Sequence, residues 1–340
     1  MKNPKILFLA ITAFTAMSIA SCSNSDTSAN PVTNPVISNT GDLKLFVIDT
    51  AKVNTVTMAG LNETIIINRK VNTNSYIGGL SLKNDGLKLV YVDNQGSFTN
   101  GGYVDVKSVH VANSDGSGDT SIYTAPSNTV TSNTDIGLVK FGTSKIYFTT
   151  TTQTVTGGLV SSITKLNSSN FDGSNLVAED YSEAPLTVYK ADITSDGRYL
   201  TTLQSDPNIP RFVIIDRTGD NGGGTVIYQE DLTAANSNGL APVFSNDNKF
   251  AYFAFSENQS LKVRIVNMTT LTVETKTIAT NFTPTSSFLS FSIGSDNNRG
   301  VVVSNTYGNI PSKTYVFNLA NNSSTSFNNN DSNIFYLKAF

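Results

Sequence analysis

From residue 43 onward the chain is a succession of short β-branched and aromatic runs cut at close intervals by Asn, Asp and Gly. Apolar and polar positions alternate with a period of two in many of these runs, and no long stretch sustains the 3.6-residue period of an amphipathic helix. The pattern predicts an all-β chain.

The first 22 residues are patterned differently. Lys2 and Lys5 precede an apolar run from Ile6 to Ala16, which is too short to cross a hydrocarbon core of about 30 Å as a helix and reads as a signal peptide. It ends in Ile19-Ala20-Ser21-Cys22, and Cys22 is the only cysteine of the chain. This tetrad resembles the lipobox of bacterial lipoproteins, in which the cysteine is acylated and becomes the new N-terminus. The resemblance implies lipidation at Cys22 and a cell-envelope location, with the leaflet and the side of the membrane left open. At about 0.8 kcal/mol per buried methylene, several acyl chains anchor a protein durably without a transmembrane helix. Residues 22–42 are small and polar with two Asn-Pro pairs, the composition of an extended tether. The expected division is therefore a leader over 1–21, a tether over 22–42 and a folded domain over 43–340.

Within that domain an extended stretch closed by Asp or Asn occurs six times, at Leu45–Asp49, Val109–Asn113, Ile163–Asn167, Phe212–Asp216, Val263–Asn267 and Thr314–Asn318. The closing residues lie 64, 54, 49, 51 and 51 positions apart, close to the length of four short strands with their turns. A second motif of strand, Asp-Gly or Asp-Asn turn, basic residue and strand precedes most of them, at Leu82–Val92, Ile193–Leu200, Phe244–Phe253 and Ile293–Val302, with a degenerate version at Phe141–Phe148. Asp-Gly supplies the positive φ that a tight turn between strands needs.

One hairpin cannot bury its own face, but four-stranded blades repeated about a ring bury a shared core. The unit resembles the repeats of TolB-type and WD-type propellers, most clearly at Val109–Asp119 after the Asp85-Gly86 turn and again at Asn167–Asn175. The resemblance implies a β-propeller of six four-stranded blades, with seven as the alternative count. The extra strand Ile334–Phe340 is expected to pair with the strand beginning near Leu43 and close the ring, and Glu63–Val71 either to add a strand to that closing blade or to lengthen its connection.

Composition narrows the function. Charged residues make up only 14% of the chain, and the net charge of −3 falls to −5 once Lys2 and Lys5 are removed with the leader. No basic footprint for nucleic acid is present. With a single His and a single Cys, a multi-His metal site, a disulfide framework and a Ser-His-Asp triad are all hard to assemble. No cofactor or bound metal is expected. His110, between Val109 and Val111, is expected to pack between blades with a ring nitrogen bonded. The acidic loops 113–119 and 216–222 lack the bidentate Glu of a calcium loop and read as turns.

Innermost strands line the channel of a propeller, so residues just before the repeated hairpins are the candidate binding residues: Asp135, Tyr189, Lys190 and Asp192. By the two-residue period Lys190 and Asp192 share a face, and a structural ion pair between them is the plainer reading. The chemical alternative is Asp192 with Asp135 as an acid/base or metal-binding pair. Tyr103, Tyr181 and Tyr307 fall in polar loops suited to stacking on a sugar or peptide. These residues point to a monomeric, lipid-anchored envelope propeller that binds a protein, peptide or glycan. The alternative is a metal- or carboxylate-dependent hydrolase, lyase or lactonase with its site at the central channel.

Overall fold

The computed structural model describes residues 44–339 apart from 50, 58–63, 73, 100–101, 130, 181–190, 205–210, 219–223, 233–241, 283–285, 307–311 and 330–333. Among the described residues there is no helix. Residues 1–43, with the expected leader, Cys22 and the expected tether, lie outside them.

The strands form six four-stranded antiparallel sheets. Blade 1 receives β1 (Lys44–Asp49), β2 (Lys52–Thr57) and β3 (Thr64–Asn68). Blade 2 is β4 (Ser75–Leu82), β5 (Lys88–Thr99), β6 (Gly102–Asn113) and β7 (Thr120–Thr124), and blade 3 is β8 (Ser132–Phe141), β9 (Ile146–Thr156), β10 (Leu159–Ser169) and β11 (Val177–Asp180). Blade 4 holds β12 (Ala191–Ile193), β13 (Tyr199–Gln204), β14 (Arg211–Asp216) and β15 (Thr225–Asp231); blade 5 holds β16 (Val243–Phe244), β17 (Phe250–Glu257), β18 (Ser260–Asn267) and β19 (Val273–Thr280). Blade 6 is β20 (Ser286–Ile293), β21 (Arg299–Thr306), β22 (Ser312–Asn318) and β23 (Ser323–Asn329).

The last strand, β24 (Ile334–Ala339), returns to blade 1 and pairs with β1, Leu45 opposite Ala339 and Val47 opposite Leu337. It supplies that blade's innermost strand, while β3 is the added strand expected within 63–71. First strands touch in cyclic order, β24 beside β4, then β8, β12, β16 and β20, which again meets β24. The molecule is a six-bladed propeller closed by its two ends, and closure leaves no inner edge to pair with another chain.

Two repeat assignments shift. Five of the six Asp/Asn-closed stretches fall on third strands, but Leu45–Asp49 is β1, the second strand of blade 1. The inner strand of that blade comes from the other end of the chain, so the first stretch sits one strand out of phase and produces the 64-residue gap. In blade 3 the strand runs on to Ser169, and the turn residue is Asn170 instead of Asn167. Asn170 N–H donates to the Ser174 carbonyl and Ser174 N–H to Asp172, just as Asn113 pairs with Ser117 and Ser117 with Asp115.

The first-to-second-strand turns explain the Asp-Gly motif. Gly86, Gly197, Asn248 and Asn297 carry φ of 71°, 74°, 60° and 58°, and each N–H donates to the carbonyl three residues earlier. The preceding aspartates, Asp85, Asp196, Asp247 and Asp296, accept the backbone N–H two residues on. Gly197 answers a second demand, since a Cβ there would lie 2.1 Å from the Tyr147 hydroxyl of the next blade.

The core lies between blades. Leu80, Leu89 and Tyr91 of blade 2 meet Phe46, Ile48 and Val53 of blade 1, and Phe212 of blade 4 stacks on Phe253 of blade 5 at 5.1 Å. Each middle strand is covered on both faces, so β17 reads as an unbroken apolar run instead of an alternating one. The first-to-second-strand turns all emerge on one face of the ring, called the lower face below, and the second-to-third-strand turns on the upper face. β1 starts, and β24 finishes, at the lower face.

Candidate functional site

Two polar clusters stand out against this apolar core. The first lies along the inner strands. Asp192 on β12 is buried, and its Oδ2 accepts from Lys140 Nζ of β8 at 2.9 Å and from the Phe244 backbone N–H of β16 at 2.8 Å. One carboxylate thereby ties blades 3, 4 and 5 together. The lysine that Asp192 meets is Lys140; Lys190, like Tyr189, lies outside the described residues, as do Tyr181 and Tyr307.

Asp135, near the start of β8, bonds Lys107 Nζ of β6, and that ammonium also meets Asp105 Oδ2 at 3.1 Å. Burial draws the Lys107 pKa down, but the bonds and charges of Asp135 and Asp105 outweigh it and hold the ammonium above the ordinary lysine value. Asp105 further accepts from Asn128 in the crossover between blades 2 and 3. Asp135 and Asp192 are thus each engaged by a lysine of their own. At the lower end of the channel Asn84 Nδ2 of blade 2 reaches the Asn246 carbonyl of blade 5, 3.3 Å away. Those blades stand opposite each other in a six-fold ring, so the bond spans the channel there.

The second cluster was hidden from sequence reading. On the face that blade 2 turns to blade 1, Tyr91 pairs with His110 and Asp93 with Ser108 across β5 and β6. His110 is buried with both ring nitrogens bonded, Nδ1 to Asp119 Oδ1 at 3.0 Å and Nε2 to Ser108 Oγ at 3.0 Å. Tyr91 stacks on the imidazole with centroids 5.3 Å apart and donates its hydroxyl to Asp119 Oδ2 at 2.8 Å. Arg69, just past β3 of blade 1, completes the row by holding Asp93 Oδ2 at 2.8 Å and reaching Asp119 at 3.4 Å.

A Ser-His-Asp row therefore does form, contrary to the expectation drawn from a single histidine. Two of its members are alternate residues on one strand, and the third arrives through the turn into β7. Nucleophilic use also needs donors where an oxyanion would develop. Directly opposite Ser108 stands the Asp93 carboxylate, itself an acceptor, which Arg69 and Gln95 already occupy. The row joins two blades. Burial pushes the Asp119 carboxyl up, but the bonds from His110 and Tyr91 and the Arg69 charge pull it net below the usual range. Burial, with Asp119 as acceptor, drives the Tyr91 hydroxyl well above its ordinary value. Among the described residues no three or more His, Cys, Asp or Glu side chains are placed to share a metal ion.

No family model matches the chain, and no curated protein matches it. Solved structures do. A chain of the nidogen–laminin complex aligns with a TM-score of 0.57 at 10% identity, covering 87% of this chain and 98% of that one. TolB from Acinetobacter baumannii aligns with a TM-score of 0.56 at 14% identity, covering 88% of this chain and 66% of that one. At such identities the likeness is one of fold, and it agrees with the propeller described above.

Proposed function

We propose that the protein is a lipid-anchored propeller of the bacterial cell envelope that works as a binding or scaffold module for a protein, peptide or glycan. The observation that carries this reading is the engagement of the channel carboxylates. Asp192 is committed to Lys140 and the Phe244 amide, and Asp135 to Lys107. Both link neighbouring blades, and neither is left as a free acid for hydrolysis. The lipobox-like Ile19-Ala20-Ser21-Cys22 supports the anchor. The match to a chain crystallised within a protein complex is in keeping with a docking role.

Two measurements test the reading. Replacing Cys22→Ser should move the full chain from the membrane to the soluble fraction, and undiminished membrane retention would remove the anchor. A photo-crosslinking amino acid at Asp135, on the upper channel mouth, should give covalent adducts to another envelope molecule in cells that make the protein. Turnover of a lactone or glycan substrate that disappears in a folded Asp192→Asn variant would replace the module with an enzyme.

A further inference from the structure

We infer that Lys107 and Asp135 join covalently, the lysine Nζ condensing with the aspartate carboxyl to form an amide that staples blade 2 to blade 3. The inference goes beyond the binding reading and holds whatever the ring captures. Among the described residues Lys107 is the one lysine that meets two carboxylates, Asp135 of the neighbouring blade and Asp105 two residues back on its own strand. The other described lysines in ion pairs, Lys83, Lys140, Lys249, Lys262 and Lys276, meet one each.

Such a condensation needs an amine held against a carboxyl group, surroundings that favour the uncharged pair, and a second group to carry protons. The Lys107–Asp135 contact supplies the first. With Nζ hydrogen-bonded to Oδ1, the carboxyl carbon lies within about 3.5 Å, the separation of a near-attack arrangement. Groups held in this way meet at an effective concentration of about 10⁵ M or more.

Burial supplies the second. The Lys107 side chain is 7% exposed, and Val109, two residues on along the same face of β6, belongs with Val92 and Ile136 to the apolar core of this seam. Low polarity disfavours separated charges and so lowers the cost of passing one proton from the ammonium to the carboxylate. The ammonium remains the resting form, but the reaction runs once per molecule, and a rarely visited neutral pair is enough.

Asp105 supplies the third. Its Oδ2 lies 3.1 Å from Nζ, and Asn128 holds the same carboxylate from the other side. Lys140 and Asp192 are a built-in contrast. They touch at 2.9 Å and are also buried, but no second carboxylate meets that lysine and the Phe244 N–H shares the Asp192 oxygen, so that pair stays ionic.

The step balances without a co-reactant. Lys107 gives one proton to Asp135, leaving an amine and a carboxylic acid. Nζ attacks Cγ, and the C–N bond forms as Asp105 takes a proton from the nitrogen. Asp105 returns that proton to the departing hydroxyl, the C–O bond breaks and one water leaves. Asp135 is 28% exposed at the channel mouth, which gives the water a way out. Asp105 ends as the carboxylate it began as.

The test digests the full chain, unfolded in denaturant, with trypsin and weighs the fragments. No lysine or arginine lies between Lys107 and Lys140, so the expected fragment is uncut at Lys107, reaches Lys140 and is lighter by one water than its sequence. Further cleavage after Tyr123 should leave its two halves joined. Lys107→Arg should restore cleavage and full mass, and a folded Asp105→Asn variant should reduce the linked fraction about tenfold or more. Cleavage at Lys107 with both fragments at full mass would overturn the inference. So would halves that separate after Tyr123, which would mark the lost water as an imide at Asp115-Gly116, and so would linkage undiminished in Asp105→Asn.

Discussion

Blades 5 and 2 share a plan and differ in one proportion. Both turn from first to second strand through the same six-residue loop, with Ser245 and Lys83 donating to Phe250 and Lys88 and an Asp receiving the amide that follows. Blade 5 then stops after eight residues in each middle strand, nearly all buried in β17. Blade 2 continues for 12, and its last described side chain on β5 is among the most exposed apolar groups of the protein. About eight residues is what burial between two neighbours can use. What extends further is free to vary without disturbing the ring.

The sharpest way to break that comparison is to open the ring itself. Deleting residues 334–339 removes the inner strand of blade 1 and exposes β1 on one side and blade 6 on the other. The cost should approach the whole stability of a domain, about 5–15 kcal/mol, seen as loss of cooperative thermal unfolding; an unchanged midpoint would show that end pairing is dispensable. Next, Asp192→Ala should cost about 3–5 kcal/mol, because it strands the Lys140 ammonium in a buried site. Replacing the pair together, Asp192→Leu with Lys140→Met, should recover most of that in urea titrations. Failure to recover would show that the Phe244 amide is the greater loss.

A smaller effect is expected at the blade 1–2 row. Tyr91→Phe removes a hydrogen bond to a carboxylate and should cost about 1.5–3 kcal/mol. The sign of its pH dependence follows from Asp119. Because its folded pKa lies below the unfolded one, its contribution is present at neutral pH and is lost as pH falls through the folded value. Asp119→Asn should therefore flatten part of the acid limb of a stability-against-pH curve, and an unaltered limb would exclude the row as its source. The smallest change should come from the surplus itself. Phe98→Ser or Leu159→Ser should shift stability within about 0.5 kcal/mol, and a larger fall would mean that the hairpins belong to the ring after all.

How much of this was legible depended on whether a residue acts locally. Asp85-Gly86, Asp196-Gly197, Asp247-Asn248 and Asp296-Asn297 act within one turn, so the repeat and the all-β class could be read directly. End closure was legible as well, since Ile334–Phe340 is one strand too many for a four-strand repeat. The His110 row was not, because Arg69, Tyr91, Ser108 and Asp119 meet only through cross-strand register and the seating of one blade on another. Lys140 as the partner of Asp192 was missed for the same reason, being 52 positions away. One hairpin tip did leave a signal in Gly157-Gly158, a turn sequence set far from the ring's own punctuation.

The pairing of β1 between β24 and β2 has a mechanical consequence. A pull on the chain ahead of Lys44 enters β1 along its own axis, and both flanking ladders must then slide at once instead of opening bond by bond. Load arriving at the start of β1 is consequently met by two ladders in shear.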